Sequence, residues 1–299
     1  MNTLRKRTSL LNLMLLPATL ITYIFVFRPI QHWKIAFFEY QLGTELKDNV
    51  FIGLKYFKEF FCSYGDAWPV IRNTILINLT TLFLSIAIAL LVAFFLQTIK
   101  SYTLRFAILT ITLIPYFFSW PSVATVANCL FSYNEGLLNN FLSDLFSNYQ
   151  RVNFLGDPNC AQPLMVMISV WKEIGFSILM ISTAMEQLPI DMYDAAEIDG
   201  ASAKRKFLSL TLPGISSTIA ILIVLELGWI LSSDLDKYYL FTNPTNITKM
   251  EVLDMYIYRY GLKLGRFSYA AAVSIIKSLV SIILVIFAFS VSNFIKRKK

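Results

Sequence analysis

The chain has 299 residues, 56% of them hydrophobic and only 15% charged, and a mean hydropathy of +0.60, which excludes an ordinary soluble domain of this length. Its formal charge of +7 and sequence pI of about 9.2 would suit a nucleic-acid binder if the chain were soluble. In a membrane chain the same surplus is the Lys and Arg excess of cytoplasmic flanks, so the expected environment is a lipid bilayer and no nucleic-acid partner is expected.

A helix needs about 20 apolar residues to cross a hydrocarbon core of about 30 Å. Six runs of that order are predicted, over residues 10–30, 74–99, 104–131, 163–185, 210–232 and 269–294, which makes an all-α membrane domain over residues 1–299. Arg5, Lys6 and Arg7 precede the first run and resemble the start of a secretory signal. The bulky, charged Phe27-Arg28-Pro29 stands where a small-residue cleavage site would be, so the run is read as an uncleaved first crossing. Lys100 and Arg105 lie between runs two and three, Lys204, Arg205 and Lys206 between four and five, and Lys296 to Lys299 after six. With six crossings all these clusters share one side, which places both termini in the cytoplasm.

The outer connections 33–73, 132–162 and 233–268 mix basic residues with acids such as Glu39, Asp48, Glu59, Asp234 and Glu251. Within the first, Gly53 to Phe61 alternates aromatic and charged residues at helical spacing, which fits either an interfacial amphipathic helix or a packed outer loop. Pro17, Pro115, Pro121 and Pro213 fall in or beside predicted crossings, where each removes a backbone donor and opens space between helices. Cys62, Cys129 and Cys160 form no CxxC pair; Cys62 and Cys160 both fall on the predicted outer side, where a disulfide is chemically permitted. His32 is the only histidine, so no zinc site is expected, and the chain has neither a GxxxxGK-Ser/Thr phosphate loop nor a GxSxG elbow. Any energy source must therefore come from another chain.

The loop 187–208 is the most specific feature. After Leu188-Pro189, residues 190–198 are predicted to form a two-turn helix with Asp191 and Asp194 early, where the helix dipole favours acids, and Gly200 is placed to stop it in a left-handed cap. Ala195 and Ala196 offer a small, flat surface, while Ile190 and Tyr193 supply apolar anchors. So short a helix is marginal by itself, which suits docking into a partner's groove.

The order Asp194-Ala195-Ala196, three residues, Gly200, nine residues, Leu210-Thr211-Leu212-Pro213 resembles the EAA loop of ABC-importer permeases, with Asp for the usual Glu and Leu for the usual Ile. Leu16-Pro17-Ala18, Asn73-Thr74, Pro115 to Trp120, Gly136 to Asn139, Trp171-Lys172 with Gly175, Asn243-Pro244, Tyr256 to Leu262 and Phe267 to Ala270 resemble the branch that carries oligosaccharides and uronate-containing saccharides. The resemblance implies a type I importer fold in the cytoplasmic membrane of a prokaryote. Besides the bilayer that composition already requires, it implies three protein partners: a second, related permease, a cytoplasmic ABC ATPase dimer that holds ATP and Mg, and an extracellular solute-binding protein. It assigns ATPase docking to Tyr193, Asp194, Ala195, Ala196, Ile198, Asp199, Gly200, Leu212 and Pro213.

Ionisable groups inside a crossing usually face protein or water. Glu226 sits about midway in the fifth run with Trp229 one turn on; Lys172, Glu173 and Lys277 sit in the outer parts of the fourth and sixth. Glu226, Trp229, Trp120, Tyr116, Lys172 and Lys277 are therefore candidates for the solute path, the carboxylate for hydroxyls and the rings for stacking. A structural ion pair of Glu226 with Lys277 or Lys172 is the competing role, and an aromatic belt, which also accounts for Trp68, Trp171, Tyr238 and Tyr239, is the competing role for the rings. A permease for a non-sugar solute, an ion-coupled secondary carrier and a membrane enzyme are the alternative functions; the last would need a cluster of catalytic side chains, which the sequence does not offer.

Overall fold

The computed structural model describes residues 14–62 and 67–297, and the side chains among them up to residue 290. The basic clusters Arg5 to Arg7 and Lys296 to Lys299 lie wholly or in their side chains outside the described residues. The described residues are helical, with one isolated antiparallel bridge, Phe38 to Phe51, and no strand. Among the described residues four helices are long and apolar enough to span a bilayer: Met14–Phe37, Ala67–Thr98, Pro158–Glu186 and Phe267–Ser290. Two further pairs reach that length only together, Tyr102–Phe117 with Trp120–Phe131, bent by 100°, and Ala203–Gly214 with Ser216–Trp229, bent by 60°. The chain divides into two compact units, Met1–Gly65 with Ile257–Ile276, and Asp66–Tyr256 with Lys277–Lys299.

In the first unit, α1 (Met14–Phe37) leads into a short hairpin closed by the Glu39 amide on the Val50 carbonyl at 2.8 Å and the Ile52 amide on the Phe37 carbonyl at 2.9 Å. Helix α2 (Lys55–Cys62) carries the aromatic and charged run noted in the sequence. Its Phe60 is buried, and Tyr56 and Phe57 pack with Ala36, Ala272 and Ile275. Its apolar face is thus spent inside the unit, and Arg266 grips Glu59 at 2.5 Å.

The second unit is built on α3 (Ala67–Thr98) against a later long helix, α7 (Pro158–Glu186). The buried residues of α3 recur at steps of three and four, and Ser85, Ala89 and Ala93 keep its contact face narrow, as helices must where lipid gives no hydrophobic drive to pack. Ala89, Ala93 and Leu96 meet Ile178, Ile181 and Met185 there. The opposite face of α3 leaves Phe83, Leu91 and Phe95 exposed, which a hydrocarbon solvent accommodates.

Between them run α4 (Tyr102–Leu113), a 3-10 turn over Ile114–Phe117, α5 (Trp120–Phe131) and the short α6 (Leu137–Leu145). The run predicted as continuous over residues 104–131 is thus sharply bent. Pro115 and Pro121 remove two amide donors, and Ser119 caps the new helix by accepting from the Ser122 amide. Gly175 lets α7 approach this break: a Cβ there would lie 2.2 Å from the Thr112 carbonyl oxygen.

After α7 come α8 (Ile190–Ile198), α9 (Ala203–Gly214, with a π turn over Phe207–Thr211) and α10 (Ser216–Trp229). The chain then forms α11 (Leu235–Phe241), α12 (Ile247–Met250), α13 (Leu253–Tyr258) and α14 (Phe267–Arg297). Cys62, Cys129 and Cys160 are free thiols.

Candidate functional site

Two places in the second unit gather the residues singled out in the sequence. The first is the hairpin α8–α9. Helix α8 starts after Pro189, whose ring cannot continue a preceding helix, and has Asp191 in its first turn. It ends in a Schellman turn: the Gly200 amide donates to the Glu197 carbonyl at 3.0 Å and the Ala201 amide to the Ala196 carbonyl at 2.9 Å. Gly200 has φ +71°, the left-handed conformation that this turn demands and that a side chain resists.

No residue of α8 is buried. Ile190 and Ile198 are 73% and 88% exposed, and Asp194, Ala195 and Asp199 are exposed beside them. Only Tyr193 and Ala196, one turn apart, face partly inward. The Tyr193 hydroxyl meets the Thr211 hydroxyl of α9 at 2.8 Å, and Lys206 pairs with Glu197 at 3.0 Å across the hairpin. Leu212 is half-buried and Pro213 exposed. A cavity of about 430 Å³ lies behind, lined by Phe94, Arg105, Glu186, Tyr193, Phe207 and Thr211 among others.

The second place is a cavity of about 570 Å³ walled by α3, α7, α10 and the residues after α10. Tyr116, Lys172, Glu226 and Trp229 line it together, joined by Glu173, Phe176, Asn78, Asp234 and Lys237. Glu226 and Trp229 are exposed and share one face of α10. Among the described residues Glu226 makes no ion pair. Trp120 lies behind the wall, 8% exposed, with the ammonium groups of Lys172 and Lys237 over its ring at 5.2 and 5.0 Å and its indole N–H donating to Asp234 at 3.1 Å. Lys237 also faces Glu173 at 3.7 Å. Burial pulls the Lys237 ammonium below its ordinary pKa, and the nearby carboxylates of Glu173 and Asp234 work against that pull.

Side chains complete the broken backbone around this cavity. Lys172 donates to the Tyr116 carbonyl at 3.1 Å, beside the 100° bend. Past the end of α10, Asn78 donates to the Ile230 carbonyl at 2.6 Å, and the Asp254 carboxylate accepts from the Ser233 amide at 2.6 Å. Lys277 pairs with that same Asp254 and is absent from the cavity lining. Non-helical backbone at membrane depth requires such donors and acceptors. Asn78, Asp234, Lys237 and Asp254 had no marker in the sequence, because each meets its partner only through the fold.

The described residues thus combine a polar cavity beside broken helices with a short helix that has nothing buried. Residues 85–298 match the family model described as "binding-protein-dependent transport system inner membrane component", and the chain belongs to that family. It is 32% identical over 293 residues to Protein LplB of Bacillus subtilis (strain 168), covering 98% of this chain and 90% of that protein. It is 31% identical over 278 residues to the polygalacturonan/rhamnogalacturonan transport system permease protein YteP of the same organism, covering 93% and 86%. A chain of a bacterial ABC transporter involved in the import of the acidic polysaccharide alginate superposes with a TM-score of 0.87 at 31% identity, covering 97% of both chains. That transporter is also known bound to a periplasmic protein carrying alginate pentasaccharide. The chain is thus a multi-pass membrane permease with a type I importer fold.

Proposed function

We propose that this chain is one permease of a pair in an ATP-driven importer that takes up a carbohydrate, as an oligosaccharide, through the cytoplasmic membrane of a prokaryote. In this reading each bent helix pair is one span, giving six crossings with both termini in the cytoplasm. The loop 187–208 then faces the cytoplasm with Lys204, Arg205 and Lys206, on the side of Lys100 and Arg105. Helix α8 docks on one member of an ABC ATPase dimer, which holds ATP and Mg, through its exposed Asp194, Ala195, Ile198, Asp199 and Gly200, with the half-inward Tyr193 and Ala196 behind them and Leu212 and Pro213 as backing. An extracellular solute-binding protein delivers the saccharide to the opposite mouth.

The observation that carries the reading is α8 itself: a helix with nothing buried, two large apolar residues exposed and a fixed left-handed end. Such a helix lacks the packing to persist unaided and is completed by a partner's groove. Closing the ATPase pair draws the two permeases' docking helices together and alternates access to the cavity. The carbohydrate assignment is supported by the relatives that act on acidic polysaccharides and by the cavity chemistry, in which Glu226 accepts from hydroxyls and Trp229 and Tyr116 stack on sugar rings.

The test is reconstitution of the chain with its partner permease, ATPase and binding protein in liposomes, with a panel of radiolabelled neutral and uronate oligosaccharides, amino acids and peptides. ATP-dependent uptake of an oligosaccharide, abolished by vanadate, is the expected result. Uptake by the chain alone under an ion gradient would refute the importer reading, and uptake confined to an amino acid or peptide would refute the carbohydrate assignment.

A further inference from the structure

A docking helix with no buried residue cannot move a membrane core by packing, because displacement passes through side chains that interlock. Its connection to the body of the unit runs through its two covalent ends and through what Tyr193 and Ala196 touch on their inward side. The Lys206–Glu197 pair leaves Glu197 with 76% of its side chain exposed, and exposed pairs hold little. The Tyr193 hydroxyl differs, because it reaches Thr211, which is 1% exposed.

Thr211 occupies a particular place in the fold. It ends the π turn Phe207–Thr211, whose first residue is fixed against α3 by the Phe207 and Phe94 rings at 4.7 Å between centroids. A π turn is an interruption in a helix, of the kind concentrated at functional sites. Immediately after it come Leu212, Pro213 and Gly214, where a Cβ would lie 2.7 Å from the Leu188 side chain, and then the 60° bend into α10. Helix α10 carries Glu226 and Trp229 on the cavity wall. The chain of contact therefore reads α8, Tyr193, Thr211, the bend, α10 and the cavity.

We propose that the Tyr193–Thr211 hydrogen bond is the mechanical link that carries movement of the docking helix into α10, and that Tyr193 and Thr211 are positioning residues for transport. The link rests on the reading that α8 docks on the ATPase, and it adds that one side chain of that helix serves transmission rather than attachment. Without it, α8 follows the ATPase while the bend above Thr211 lags behind. ATP is then spent without reorienting the cavity.

The experiment uses the full complex in liposomes, in a background with Cys62, Cys129 and Cys160 replaced by Ser and a reporter Ser232→Cys on the cavity wall. The readouts are ATP hydrolysis, retention of the ATPase through purification, and the labelling rate of the reporter by a membrane-impermeant maleimide with and without Mg-ATP and vanadate. In the parent, trapping with vanadate shifts the labelling rate by roughly fivefold or more, the scale of a coupling between distant sites. Tyr193→Phe and Thr211→Val are expected to keep the ATPase bound and its hydrolysis within roughly twofold while losing most of that shift, and Thr211→Ser, which restores the hydroxyl, to keep it. Retention of the full shift in both Tyr193→Phe and Thr211→Val would overturn the link. Loss of the ATPase in Tyr193→Phe would also overturn it, by making the hydroxyl part of attachment. A parent that hydrolyses ATP with no shift at all would instead refute the docking reading on which the link stands.

Discussion

The hairpin α8–α9 and the cavity wall are built on opposite principles. The hairpin keeps its ionic and apolar groups in the open, and its geometry comes from local signals: a proline before, a left-handed glycine after, a Schellman turn between. The cavity wall hides its ammonium groups, with Lys172 and Lys237 at 9% and 5% exposure, and its geometry comes from side chains that replace missing backbone partners. A surface meant to be handed to another protein can be specified within a dozen residues; a polar space inside a bilayer needs contributions from four helices. Damage to the first should therefore spoil association while leaving the fold intact, and damage to the second should spoil stability or affinity.

The sharpest break in this contrast comes from Ala195→Glu, at an exposed position of α8, and Gly200→Val. The first adds a charge to the face proposed to meet the ATPase, and the second forces a β-branched residue into φ +71°. Both are expected to lower vanadate-sensitive uptake by more than roughly tenfold, with co-purification of the ATPase lost; the melting temperature of the isolated permease should change little for the alanine substitution, an ordinary surface change, and fall modestly for Gly200→Val, which carries the backbone strain. A large drop in melting temperature would show that the hairpin is part of the core after all.

Next in size is Lys277→Met, which strands the Asp254 carboxylate that holds the Ser233 amide. The pair is partly buried, so its loss should cost between the ~1 kcal/mol of an exposed pair and the ~3 kcal/mol of a buried one; thermal unfolding in detergent should shift downward while ATPase association at low temperature persists. A smaller effect is expected of Trp229→Ala, a residue 70% exposed on the cavity wall. Loss of a stacking ring, worth about 1 kcal/mol, should raise the KM for the transported saccharide several-fold without changing stability; an unchanged KM would remove Trp229 from the path.

The smallest effect concerns pH. Burial depresses the folded pKa of Lys237, so between that value and the ordinary lysine range the unfolded chain binds a proton that the folded chain does not. Stability contributed by this group therefore rises as pH rises through that window. Denaturation at roughly pH 8 and pH 10 should show this slope, and Lys237→Met should flatten it.

The same contrast explains what could be read from the sequence. The bounds of α8 were legible because Pro189 and Gly200 act within a few residues of their effect, and the spacing to Leu212-Pro213 carried the family resemblance. The bends at Pro115 with Pro121 and at Pro213 were foreshadowed, but their angles, 100° and 60°, depend on packing such as the approach of α7 at Gly175. The inward turn of Tyr193 could not be seen, since its partner Thr211 lies across a hairpin whose fold had first to be known. Lys277 illustrates the limit well: its position in an apolar run announced a partner, yet Asp254 rather than Glu226 receives it, and only the three-dimensional arrangement decides among carboxylates tens of residues apart.

The lysine donated to the Tyr116 carbonyl has one more implication. A backbone amide in that place would be rigid, and any swing of the kinked segment would snap the bond; an ammonium on four methylenes with three protons to offer can follow the oxygen as it travels. The kink is moored on a slack line, so the segment that bears Tyr116 and Phe117 can rock without ever stranding a bare carbonyl in oil.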